Sequence, residues 1–274
     1  YHELIEKNYG TDVVTTSVHI NLGIKDLSHL FAALRLVRCE SALFLALSAN
    51  SPFLDAMPTG VHSQRWIQFP MTPKNVPLFR NHDHYVQWIE EQLSIGTMWN
   101  ERHLWTSVRP NGIKRPYQLN RLEVRICDLI TNCDLLLAVT ALLELRILSL
   151  FQKIDEMDPL KASKLSLNEL AVLSNLNDLE AAKLSLNSSL SHWIDGSKIK
   201  CRDWIKELVE SVTPLAQEMG LIHTLEPIHA VLCSGNQAMQ WLDGYSKGSS
   251  IRELLQASMS DMQAEEIASI EKQV

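Results

Sequence analysis

Arg121-Leu122-Glu123-Val124-Arg125-Ile126-Cys127-Asp128 is the run that decides the fold class. Leu122, Val124 and Ile126 alternate with Glu123, Arg125 and Cys127. Side-chain direction in a strand repeats every two residues, so residues 121–127 predict a strand with one apolar face and one face carrying opposite charges. Immediately upstream, residues 103–108 predict a second strand ended by Pro110, and Asn111-Gly112 is turn chemistry, so the two strands form a hairpin with a loop of about ten residues.

Further toward the N-terminus, the β-branched residues 13–20 predict a strand with His19 near its end and Gly23 as breaker. Asp26 can cap a helix running to about Ala49, along which Leu27, Leu30, Phe31, Leu34 and Val37 recur at helical spacing. Residues 51–77 hold five prolines and little periodicity, which predicts irregular structure ordered by Phe53, Trp66, Ile67 and Phe69. A helix over 82–95, stopped by Gly96, carries His82 and His84 beside Asp83, a pattern of an exposed cap more than of a metal chelate. Downstream of Asp128 the chain reads as helical over 129–155, 167–173, 178–193, 201–219, 223–245 and 250–271. Strands followed by helices predict an α+β fold with helices against one face of an antiparallel sheet.

The 274 residues are 46% hydrophobic and 21% charged with only ten Gly and ten Pro, which excludes disorder and collagen-like structure. A net charge of −7 argues against a nucleic-acid partner or an anionic membrane surface. The most apolar stretch, 135–151, contains Glu144 and Arg146 and reads as a buried helix and not a membrane span. Five cysteines without a C-x-x-C pair suggest reduced thiols and a cytoplasmic location. No P-loop, G-x-G-x-x-G or G-x-S-x-G motif occurs.

Glu123 and Arg125, two residues apart on one strand face, can hold Mg²⁺ and a phosphoryl group side by side, because hard cations take carboxylate oxygen and guanidinium matches phosphate in a fork. The same spacing describes a solvated ion-pair face, and spacing alone does not choose. His19 and Asn21 also share a face; the histidine can ligate a metal or donate to phosphate, or be a hydrogen-bonded structural residue, and the asparagine can orient a carboxylate. Arg109 at a strand end, and Arg65 after Thr59-Gly60, are further anion-binding candidates.

Taken in order, Val18-His19-Ile20-Asn21-Leu22-Gly23, then residues 47–53 with Thr59-Gly60 and Arg65, then Trp105 with Arg109-Pro110, then Leu122-Glu123-Val124-Arg125-Ile126-Cys127-Asp128 resemble the carboxylate–amine ligase family of the glutamine-synthetase-like superfamily, and within it the cyanobacterial-type glutamate–cysteine ligases. The resemblance implies a curved antiparallel sheet whose concave face holds ATP, Mg²⁺ and glutamate. It implies phosphorylation of the glutamate γ-carboxylate by ATP and displacement of phosphate by the cysteine amine, the first step of glutathione biosynthesis. By the same resemblance Glu123 and His19 are metal ligands, Arg125 and Arg109 catalytic, and Arg65 and Asn21 substrate-binding. An inactive binding paralogue, or a ligase with a different amine acceptor, are the alternatives. Such ligases begin with a Glu-x-Glu strand, and no Glu-x-Glu occurs in these 274 residues, which start at Tyr1. The expectation is therefore one α+β domain over 1–274 that lacks an N-terminal segment, with the strands and site motifs in 1–128 and helices beyond.

Overall fold

The computed structural model of the chain describes residues 16–271. In chain order the elements are β1 (Ile20–Gly23), α1 (Leu27–Ser48), β2 (Phe53–Leu54), β3 (Met57–Pro58), α2 (Gln64–Ile67), α3 (His82–Ser94), β4 (Val108–Asn111), β5 (Arg121–Val124) and α4 (Cys133–Gln152). There follow α5 (Ile154–Met157), α6 (Pro159–Ala162), α7 (Leu167–Leu184), β6 (Ser189–Ser191), β7 (Lys198–Lys200), α8 (Cys201–Glu218), α9 (Glu226–Ser234), α10 (Gln237–Ser246) and α11 (Ile251–Glu271).

Helix α1 is the axis of the molecule. Asp26 starts it by accepting the His29 backbone N–H at 2.8 Å, and every residue from Leu30 to Ser48 is buried. A helix sheathed on all sides must also bury its polar groups; Arg38 Nη2 reaches the Val76 carbonyl at 2.9 Å and Asn175 at 3.2 Å while its Nε has no partner, and the other charges are paired. Arg35 makes a two-pronged bond to Asp158 at 2.6 and 2.7 Å, Glu40 receives Arg146 at 2.6 and 3.0 Å and the Trp193 indole at 3.0 Å, and Ser41 donates to Asp178 at 2.6 Å. Helix α7 is its main helical neighbour, with α4, α6 and the sheet also packed on it.

The sheet that bears the site has the order β1-β5-β4, all antiparallel. Leu122, Val124 and Val108 are buried on the face covered by α1, while Asn21, Glu123 and Arg109 pair directly across the three strands on the other face. The alternation in 121–124 is thus realised as two chemically distinct faces. One hydrophobic cluster runs from Ile20 to Val231, so strands and later helices share a core.

Several expectations shift. Of the strand expected over 13–20, residues 13–15 lie outside the described residues; Ser17 makes an isolated bridge to Asp128, and the strand proper begins at Ile20, after His19. The strand expected over 103–108 begins instead at Val108, because Asn100 caps a tight turn at Glu101–His103 and Trp105 bridges Thr72. Pro110 sits inside β4, an edge strand, where a missing N–H is tolerated. Strand β5 stops at Val124, and the Arg125 N–H is taken by the Ser107 carbonyl at 2.8 Å. The helices expected over 167–173 and 178–193 are one helix, α7, followed by β6, and 223–245 breaks at Gly235, whose φ is 90°. Asn81 caps α3, not His82 or His84; the His82 ring bonds the Pro116 carbonyl at 2.8 Å.

Candidate active site

Glu123 is the hub of the polar face. Arg109, opposite it in register on β4, donates Nε to Oε2 at 2.8 Å and Nη2 to Oε1 at 3.3 Å. Asn111, also on β4, donates to Oε2 at 2.8 Å; Arg125, just beyond β5, donates Nη1 to Oε1 at 3.3 Å; His19 Nδ1 lies 3.4 Å from Oε1. Burial of this carboxylate, 5% exposed, opposes its ionisation, but hydrogen bonds from His19 and Arg109 and the charges of Arg109 and Arg125 outweigh that and hold it well below the usual carboxylate range. It stays charged at any physiological pH.

The hub has more cation than it needs. Arg109, Arg125 and Arg115, a residue of the loop after β4, lie within electrostatic reach of one another, and burial followed by the Arg109 charge pushes Arg125 down to about 10 and lowers Arg115 also. Arg109 is fully engaged, since its Nη1 donates to the carbonyls of Leu104 at 2.7 Å and Arg102 at 3.2 Å. Arg125 is not: its Nε is buried without a partner, as is Nη1 of Arg115. Three guanidiniums around one carboxylate, with donor edges left over, form a cradle for anions.

The residues expected from sequence therefore divide. His19, Asn21, Glu123, Arg109 and Arg125 converge on one sheet face. Asn21 is exposed there and accepts Arg121 Nε at 3.3 Å. Arg65 does not join them: its Nε is 2.6 Å from Asp128, its Nη2 donates to the Ile126 carbonyl, and it is 5% exposed. Arg109 has every side-chain nitrogen hydrogen-bonded and anchors Glu123. Arg115 was missed because nothing local marks a loop arginine; its contact with the hub comes from the hairpin fold.

Glu123 and His19 do not by themselves make up a magnesium site among the described residues. Both Glu123 oxygens already accept guanidinium or amide N–H groups, three cations surround the carboxylate, and no group of three His, Cys, Asp or Glu side chains that could hold a metal occurs among the described residues. Among the described residues no helix is long and apolar enough to cross a membrane.

Known proteins resemble this chain in sequence and in fold. A relative from Sorangium cellulosum, provisionally named glutamate–cysteine ligase 2, is 28% identical over 84% of this chain and 59% of its own length. One from Gloeobacter violaceus with the same provisional name is 27% identical over 96% of this chain and 68% of its own. The chain thus spans roughly six-tenths of the length of the first of these. A crystal structure of glutamate–cysteine ligase from Francisella tularensis in complex with AMP shares the fold with a TM-score of 0.73 at 14% identity, covering 96% of this chain and 66% of that one. The model of glutamate-cysteine ligase family 2 matches residues 1–271, and the chain belongs to that family.

Proposed function

We propose that this chain carries the phosphoryl-facing part of an ATP-dependent ligase that joins the glutamate γ-carboxylate to the amine of cysteine. A γ-carboxylate oxygen attacks the terminal phosphorus of ATP, the bond to the bridging oxygen breaks, and ADP leaves. The cysteine nitrogen then attacks the γ-carbonyl carbon, phosphate departs, and the nitrogen sheds a proton to give γ-glutamylcysteine. Both steps concentrate negative charge on oxygens, and fixed cations positioned beforehand lower that barrier.

In this reading Arg125 faces the transferred phosphoryl group through its free Nε edge, and Glu123 is a positioning residue that aims Arg125. Arg109, Asn111 and His19 hold Glu123 in turn, and Asn21 lines the same face. A divalent cation, which the expected activity calls for, needs ligands beyond Glu123 and His19, and no step here runs through one. A cytoplasmic setting, as the first step of glutathione synthesis, agrees with five free cysteines. The observation that carries the reading is the unpartnered, buried Nε of Arg125 in a chain of this family.

The test is ADP release with ATP, glutamate and magnesium, with and without cysteine, and identification of the product. Cysteine-dependent ADP release yielding γ-glutamylcysteine is the expected result; release with another amine in place of cysteine removes the proposed acceptor. No ADP with any acceptor removes the reading for this chain.

A further inference from the structure

Helix α7 has two unlike faces. The inner one, with Leu170, Ser174, Asn177, Asp178, Ala181 and Ala182, is buried and packs on α1. The outer one leaves Val172, Leu176 and Leu179 60%, 57% and 41% exposed at spacings of four and three residues, where a helix facing only water carries polar side chains. Beside this ridge, between α7 and the β6–β7 hairpin, runs an apolar groove of about 480 Å³ walled by Leu165, Leu173 and Leu176, with Lys198 at its rim. The residues of the ridge are arranged symmetrically. Glu169 and Lys183 lie seven residues to either side of Leu176, about 10 Å each way along the helix axis. Leu173 and Leu179 lie three residues to either side, and at about 100° per residue they fall on opposite flanks of the line through Leu176.

We infer that this face pairs two copies of the chain, α7 against α7 in antiparallel sense about a two-fold axis at Leu176. A two-fold interface works only where one patch complements itself, and here it does. Leu176 meets Leu176 on the axis. Glu169 of each copy meets Lys183 of the other, giving two ion pairs. The Ser166 N–H and hydroxyl, 2.8 and 2.7 Å from one Glu169 oxygen, keep that carboxylate charged and leave its second oxygen for the lysine. Leu179 is not a wall of the groove and projects from the flank opposite Leu173, so the axis lays each Leu179 over the groove of the other copy. A parallel pairing would set Glu169 against Glu169 and Lys183 against Lys183, and the same charges disfavour it. Glu169 and Glu180 balance Lys183 and Lys198 on this ridge and its rim, so two copies of a chain with net charge −7 meet where their local charges cancel. One helix pair and its groove make a modest interface, which gives a concentration-dependent dimer.

Sedimentation velocity of the 274-residue chain from about 1 to 200 µM tests the pairing without reference to catalysis. A reversible monomer–dimer equilibrium with a micromolar dissociation constant is the expected result. Leu176→Glu sets two like charges on the axis and is expected to weaken the dimer about a hundredfold; because Leu176 is exposed, the unfolding temperature of the dilute variant should match that of the unaltered chain. Lys183→Glu is expected to weaken it about tenfold, and adding Glu169→Lys to that variant should recover most of the loss, since both pairs re-form with signs exchanged. The Ser166 hydroxyl still accepts the backbone N–H of residue 169 there, which keeps the start of α7. A monomer at every concentration leaves the face to another occupant and overturns the inference. So does a dimer that Leu176→Glu leaves intact, or one that the charge exchange fails to restore, because only the antiparallel two-fold at Leu176 pairs those charges.

Discussion

Two buried carboxylates a few residues apart, Asp128 and Glu123, have opposite surroundings. Asp128 is 0% exposed and complete: Arg65 Nε and Ser63 meet one oxygen at 2.6 and 2.8 Å, and Ser51 and the Asn50 N–H meet the other at 2.8 and 3.0 Å. One cation faces one anion, and the remaining partners are neutral. Glu123 is as deeply placed, but three guanidiniums surround it and two of them keep unpartnered nitrogens. Burial and ion pairing are common to both, so neither marks a site. A surplus of one charge and of donors does, because a closed pair has nothing left to offer a ligand.

The sharpest way to break the contrast is Asp128→Ala, which strands the Arg65 charge and the loop around Ser51 and Ser63. It is expected to cost about 3–5 kcal/mol of stability, read by denaturant unfolding, and added phosphate should not restore it because nothing can enter. Arg125→Lys sits on the other side. A point charge does not reproduce a fork, and turnover is expected to fall about a hundredfold with the unfolding midpoint little changed. Glu123→Gln should cost about 1–3 kcal/mol, since it leaves three cations facing one another, and here raising phosphate should recover part of the loss. Equal phosphate rescue of Asp128→Ala would erase the distinction.

Acid and neutral pH give the smallest effects, with opposite signs. The carboxyl of Glu123 is depressed in the folded chain, so its contribution to stability is present above the ordinary carboxylate pKa of about 4 and fades as pH falls below it. Glu123→Gln should flatten that acid limb. Burial pushes Asp178 up to about 7, against bonds from Ser41 and Ser107 and the Arg38 charge. Its contribution is full below the unfolded value and is lost as pH rises toward 7, so Asp178→Asn should flatten the neutral limb in pH-dependent thermal melts.

Where local pattern and tertiary need agree, sequence was legible. The Asp26 cap, the helical spacing of the apolar residues of α1 and the alternation in β5 each follow from rules acting over a few residues, and the pairing of Glu123 with Arg125 follows from a period of two, whereas the turn expected at Asn111-Gly112 lies at residues 115–117 because Asn111 is the last residue of β4. The helices expected over 167–173 and 178–193 are one helix that runs through Asn177 and Asp178. Both are in fact buried inside the helix, Asn177 binding the Ser191 backbone at 2.8 and 2.9 Å and Asp178 binding Ser41, partners that no local pattern reveals. The same limit explains Arg65 and Arg115. An arginine reads alike from sequence whether it is closed onto Asp128, as Arg65 is, or keeps a nitrogen without a partner, as Arg115 does.

The course of helix α1 has a consequence for how the chain reaches this state. Its anchors come late: Arg146 for Glu40, Asp158 for Arg35, Asp178 for Ser41 and Asn236, whose amide reaches the Ala46 carbonyl at 2.7 Å across 190 residues. Contacts so distant in sequence make for slow folding, since long loops must close before they are stabilised. During synthesis this buried helix thus leaves the ribosome well before the residues that shelter it, and a chain halted before residue 146 presents it bare, an aggregation hazard that the finished molecule conceals.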